Sequence, residues 1–259
     1  MRIAWEARGS GEPLLLIQGL GYARWGWEPV VEPLARRFRV LVFDNRGIGE
    51  SDAPPGPYSA AAMAGDALQV LDEAGADSAH VVGASLGGMI AQELALAAPE
   101  RVRRLVLACT AAGGSSEAPM PAETVELLAR APSLPPERSL RLLVENALAG
   151  TGTDGAARAA LVERITALRL ARPQAPEAWQ AQAAAAVAFD ASARLGGIAA
   201  PTLVVTGDAD RVVDPRNSEL LAAAIPGARL VRLAGLGHLF FWEEPDRFVG
   251  LLEEFLCST

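Results

Sequence analysis

Gly83-Ala84-Ser85-Leu86-Gly87 constrains this chain more than any other segment. It joins the apolar run Ala79-His80-Val81-Val82 to a helix-like stretch from Gly88 to Leu96. A serine flanked by glycines at such a junction belongs on a tight turn leading from a strand into a helix. Small residues surround that turn because backbone and neighbouring strands crowd it. The turn lifts the serine hydroxyl above the sheet edge. The helix start beneath it leaves free N–H groups that can hold a developing oxyanion. The segment therefore calls for a buried strand in an open sheet and marks Ser85 as a candidate nucleophile.

The rest of the chain supplies such a sheet. Short apolar runs at 2–6, 14–17, 40–43, 79–82, 105–108, 202–205 and 230–233 read as strands. Most are continuous rather than alternating, as strands covered by helices on both faces are. Helical stretches lie between them at 27–36, 60–74, 87–97, 216–224 and 245–256, with Pro215 and Pro245 suited to helix starts. The pattern predicts an α/β fold, a mostly parallel sheet with right-handed crossovers. One segment breaks the rhythm. Residues 115–194 hold no strand pattern, open on glycine, serine and proline, and continue as helical stretches near 123–130, 138–148, 155–171 and 176–188. They read as a helical lid over the sheet's C-terminal edge, dividing the core into 1–114 and 195–259.

Composition narrows the function. The chain has 259 residues, enough for one such domain, and a formal net charge of -8 without a basic cluster, which argues against nucleic-acid binding. Its 23 basic residues are all arginine, so Schiff-base and P-loop lysine chemistry are excluded. Cys109 and Cys257 make no disulfide framework, and Cys109 ends an apolar run as a buried thiol would. No opening run resembles a signal peptide and no stretch has the length and apolarity of a membrane span, so a cytoplasmic protein without membrane contact is expected. Neither histidine has metal-ligand spacing, and no cofactor or metal is expected. Quaternary structure is left open, a homo-oligomer included.

Ser85 needs a base, and the chain offers two histidines. His80 lies within the strand leading to Ser85 and reads as structural. His238 sits in the glycine-rich loop Ala234-Gly235-Leu236-Gly237-His238 beyond the last strand, at the edge where Ser85 emerges. Among Asp208, Asp210 and Asp214, Asp210 falls far enough past its strand to turn toward His238. Asp208 reads as a brace for the loop and Asp214, before Pro215, as a helix cap. The order Ser85, Asp210, His238 suits a nucleophile, orienting acid and base. Leu86 is expected to give one oxyanion N–H. Gln18-Gly19-Leu20-Gly21 is expected to give the other, from Leu20 rather than Gly21. Gly21, Trp25, Met89, Trp179 and Leu239 are read as lining an apolar substrate pocket. Arg130, Arg138, Arg141, Arg164, Arg169 and Arg172 are the lid cations from which a carboxylate-bearing substrate would draw its partner.

These motifs, together with Asp44-Asn45-Arg46-Gly47-Ile48-Gly49-Glu50-Ser51, resemble the α/β-hydrolase fold superfamily over essentially the full length. The similarity is to its compact bacterial branch of esterases, 3-oxoadipate enol-lactonase-like proteins and cofactor-free haloperoxidase-like proteins. It implies an eight-stranded, mostly parallel sheet with the lid inserted after the sixth strand, and hydrolysis of small to medium, mainly apolar esters or lactones through an acyl-enzyme. Enol-lactone hydrolysis, carbon–carbon hydrolysis of dioxo-acids, a perhydrolase side activity and a ligand-binding role without catalysis are the alternatives. The chain departs from many members in carrying Gln18 where they carry histidine. Serine at position 85, where dehalogenase- and epoxide-hydrolase-like members carry aspartate, disfavours those two chemistries.

Overall fold

The computed structural model describes residues 1–115, 117–149 and 155–258. Within the segment expected as a lid, residues 116 and 150–154 thus lie outside the described residues, as does 259 at the end of the core. The elements run β1 (Trp5–Arg8), β2 (Glu12–Ile17), α1 (Glu28–Leu34), β3 (Phe38–Phe43), α2 (Ala60–Glu73), β4 (Ala79–Ala84), α3 (Leu86–Ala97) and β5 (Val102–Ala108). Four helices follow, α4 (Ala122–Arg130), α5 (Pro136–Ala147), α6 (Gly155–Ala171) and α7 (Pro176–Val187). The chain closes with β6 (Thr202–Gly207), α8 (Arg216–Ala224), β7 (Arg229–Leu233), the single turn α9 (Phe240–Glu243) and α10 (Pro245–Leu256).

The sheet order is β1-β3-β2-β4-β5-β6-β7, with β1 antiparallel to β3 and every other pair parallel. Two expectations need correction. Among the described residues the sheet has seven strands, not eight, and the helical segment follows the fifth strand, not the sixth. The first strand also starts at Trp5 rather than at residue 2. Its partner β3 ends at Phe43, so residues 2–4 pair with the loop beyond it: Asp52 N–H donates to Arg2 O, Ala4 N–H to Ser51 Oγ, and Asp44 N–H to Ala4 O.

Continuous apolar strands are explained by two separate cores. Leu15, Ile17, Leu41, Val81, Leu105 and Val204 face one layer with α2, α3 and Leu221 of α8. Leu14, Leu16, Val40, Val82, Val106 and Val205 face the other, with α1 and α10. Alternate residues of one strand thus enter opposite cores, and no face is left for water. Helix starts follow local chemistry. Ser59 Oγ accepts from Ala62 N–H at 3.1 Å to cap α2, and Pro136, Pro176 and Pro245 open α5, α7 and α10 where a missing N–H costs nothing. Among the described residues no helix is long and apolar enough to cross a membrane. The C-terminal ends of β2, β4, β6 and β7 lie along one edge and lead into the segments that carry Leu20, Ser85, Asp210 and His238.

Candidate active site

Ser85 occupies the turn between β4 and α3 with φ 55° and ψ -123°. Ser85 and Cys109 are the two non-glycine residues with positive φ among the described residues. Such a conformation costs of order 1–3 kcal/mol and persists only where its surroundings enforce it. Here they do. Ser85 N–H donates to Ala108 O at 2.9 Å, while Ser85 O accepts from Gly88 N–H at 2.8 Å and from Thr110 Oγ1–H at 2.7 Å. The glycines are sterically required. A side chain on Gly83 would strike the Gly87 carbonyl, one on Gly87 the Ile17 carbonyl, and one on Gly88 would lie 2.5 Å from Thr110 Cγ2. Gly87→Ala therefore must part α3 from β2. It is expected to lower stability by about 3 kcal/mol or more, read by urea denaturation; a loss near zero would contradict this packing.

His238 and Asp210 meet in the interior. His238 Nδ1 lies 2.7 Å from Asp210 Oδ2, and Asp210 Oδ1 accepts from Val212 N–H at 2.7 Å and Val213 N–H at 3.0 Å. With its carboxylate so fixed, Asp210 holds the Nδ1–H tautomer and leaves Nε2 free of the proton. Burial opposes the charged imidazolium, but the Asp210 charge, the neighbouring Cys109 sulfur and the hydrogen bond to Asp210 outweigh it, and the His238 pKa stands well above its ordinary value. The histidine loop is itself braced. Glu243 Oε2 accepts from Gly237 N–H and Oε1 from Ala149 N–H, each at 2.7 Å, and Leu239 N–H donates to Ala147 O. Asp208 Oδ1 accepts from Gly235 N–H at 2.6 Å, and Asp214 Oδ1 from Arg216 N–H at 2.9 Å at the start of α8. His80 lies elsewhere, its Nε2 3.1 Å from Glu12 Oε2.

The loop after β2 passes directly over the serine. A Cβ on Gly19 would lie 2.9 Å from Ser85 Cβ and 3.5 Å from Oγ. Gln18 Oε1 accepts from Gly19 N–H at 2.9 Å, and Asn45 Nδ2 donates to Gln18 O at 2.8 Å. Gly19 N–H is thereby occupied, whereas Leu20 and Leu86 N–H have no hydrogen-bond partner among the described residues. The Gln18 side-chain amide oxygen thus fixes the loop from within.

Ser85, Leu20, Leu86 and His238 border one cavity of about 540 Å³, within the size range of small-molecule sites. Of the residues expected to line it, Met89, Trp179 and Leu239 do, and Gly21 and Trp25 do not. Trp25 instead packs its ring against Tyr22 and Trp242, at centroid distances of 5.2 and 6.3 Å. Gly21 lies behind Arg169 and Trp179. Tyr22, Arg169, Met120 and Val213 are further wall residues whose place the sequence alone left open.

Residues 12–245 match the model of the α/β hydrolase fold family, and the chain belongs to that family. It is 34% identical to a putative carbamate hydrolase, RutD, of Azorhizobium caulinodans, over 96% of this chain and 92% of the relative. The structure of a hydrolase from Pseudomonas aeruginosa PA01 is 34% identical with a TM-score of 0.83, covering 99% of this chain and 94% of that one. The enol-lactonase from Burkholderia xenovorans LB400 is 27% identical with a TM-score of 0.86, over 99% and 96% of the two chains.

Proposed function

We propose that this α/β hydrolase is a serine-dependent carboxylic ester hydrolase acting on small to medium, mainly apolar esters or lactones. The observation that carries this reading is the hydrogen-bonded Asp210–His238 pair opening onto the same apolar cavity as the strained Ser85 turn. Asp210 fixes the tautomer, and His238 Nε2 takes the Ser85 proton as Oγ attacks the carbonyl. The N–H groups of Leu20 and Leu86 receive the oxyanion. The imidazolium then protonates the leaving alkoxide, and water activated by His238 releases the acyl group from Ser85. An enol-lactonase and a putative carbamate hydrolase among the relatives are named for substrates with an acyl carbon bound to a heteroatom, the bond type this arrangement would cleave.

Residues 115–194 act in this reading as the lid, because Met120, Leu128, Leu143, Trp179 and Val187 wall the cavity from that side. A cytoplasmic location is part of this proposal, and two free cysteines, Cys109 buried and Cys257 exposed, suit a reducing compartment. A panel of p-nitrophenyl esters from acetate to laurate, with aliphatic and enol lactones, tests the class. Turnover that disappears in Ser85→Ala is the expected result, with chain length measuring the pocket. Dominant lactone turnover narrows the enzyme to a lactonase. Turnover of neither class by the folded protein overturns the proposal.

A further inference from the structure

Of the eight arginines in residues 115–194, Arg169 alone reaches the cavity wall. Arg158 donates to the Ala149 and Glu145 carbonyls, and Arg194 pairs with Glu93. Arg141 pairs with Glu145 and Glu163, Arg164 pairs with Glu28 at 2.7 Å, and Arg130, Arg138 and Arg172 are exposed away from it. Among the described residues no carboxylate lies within ion-pair distance of the Arg169 guanidinium, which packs 5.0 Å above the Tyr22 ring. Its Nη2 is 2.7 Å from where a Cβ on Gly21 would stand, and Trp179 Nε1 is 3.6 Å from the same point. Two donors from different helices, α6 and α7, thus converge on one glycine of the loop that carries Leu20. Trp179 Nε1–H has no acceptor among the described residues either. In a chain of formal net charge -8, a cation left without an acid in a substrate cavity calls for an anion from outside.

The topology gives that anion a direction. Ser85 follows β4; Gly21 follows the neighbouring strand β2 on one side, while Val213 and Asn217 follow β6 on the other. On that second side Glu117 borders the cavity, next to Ala118, whose backbone Asn217 clamps at 2.8 and 2.9 Å. Asp214, on the same wall, is paired with Arg216. The charge of Glu117 repels an anion from the far wall, where Met120, Leu128 and Val213 offer apolar surface instead.

We infer that Arg169 and Trp179 form an anion subsite, and that the substrate is an ester or lactone bearing a carboxylate on the oxyanion-loop side with its apolar part toward Met120, Leu128 and Val213. This rests on the proposed acyl chemistry for the identity of the reacting group. Gly21 directly follows Leu20, with their Cα atoms about 3.8 Å apart, so a short carbon chain spans from the oxyanion position to the subsite.

Mono-p-nitrophenyl adipate and p-nitrophenyl hexanoate form a matched pair that tests it. The wild-type enzyme is expected to favour the adipate ester in kcat/KM. Arg169→Met is expected to lower the adipate-to-hexanoate ratio about 10- to 100-fold, chiefly through KM, as loss of a charge-assisted contact does. Trp179→Phe keeps an aromatic ring, removes the N–H, and is expected to lower the same ratio several-fold. A defect in folding lowers both rates and leaves the ratio alone. An unchanged ratio in both variants, or a wild-type preference for hexanoate, overturns the inference. If the folded wild type hydrolyses neither ester, the acyl-transfer reading fails, and calorimetric binding of adipate then decides the subsite. Binding that Arg169→Met weakens supports it; absent or unaltered binding overturns it.

Discussion

Ser85→Ala is expected to remove about 10^5- to 10^6-fold of kcat, leaving only what the oxyanion N–H groups and cavity supply. The size of the effect follows from how the site divides its work. On the proposed mechanism, deleting Oγ removes the atom that would bond the acyl carbon, and His238 is left with no nucleophile in place. The fold is indifferent to the change. Ser85 is held through its backbone N–H and carbonyl, and its hydroxyl makes no hydrogen bond to the described residues. Its folding stability is therefore expected to stay within about 0.5 kcal/mol of the parent. Steady-state kinetics together with thermal denaturation check both halves. Residual activity within tenfold of the parent would mean that another group attacks.

Asp210→Asn is expected to cost about 10^4-fold in kcat while keeping the loop geometry. The reason lies in the two carboxylate oxygens. Val212 and Val213 N–H both donate to Oδ1, so an asparagine must keep its carbonyl oxygen there and turn its NH2 toward His238 Nδ1. That donor forces the proton onto Nε2, and the ring then has no lone pair facing Ser85. The pH profile separates this from simple damage. In the parent, burial opposes protonation of His238 but the Asp210 carboxylate outweighs it. kcat/KM is therefore expected to rise along a limb placed above the ordinary imidazole value. Without the carboxylate, burial acts unopposed by its charge and the limb moves to lower pH. Stability carries the opposite sign. The raised His238 pKa stabilises the folded state fully below the unfolded value, and this contribution is lost as pH rises through the folded one. A limb that does not move in Asp210→Asn would remove Asp210 from its role.

Much of this was legible in the sequence because it is imposed by hard sterics. A Cβ on Gly83 or Gly87 would strike a backbone carbonyl and one on Gly88 the Thr110 side chain, so the turn at Ser85 announces itself. Apolar runs such as Leu14 to Ile17 are continuous because each strand feeds two cores. What depends on side-chain direction was not legible. Eight arginines share one helical segment, and only packing over Tyr22 at the cavity wall singles out Arg169. Trp25 sits near the right loop in sequence but turns its ring toward Trp242, and Gly21, within the loop, is covered by the Arg169 and Trp179 side chains that line the cavity in its place. Glu243 braces Gly237 across a turn of helix, with nothing in its local pattern to distinguish it from Glu244. The start of β1 depended on where β3 ends, a pairing constraint that the apolar run at 2–6 does not encode.

Covalent labelling by a fluorophosphonate, read by intact mass and peptide mapping, tests most directly the claim that Ser85 is a nucleophile activated by His238 and Asp210. The account predicts one adduct per chain, on Ser85, absent in Ser85→Ala and formed far more slowly in Asp210→Asn. A folded wild-type protein that takes no label, or one whose label survives in Ser85→Ala, would contradict it.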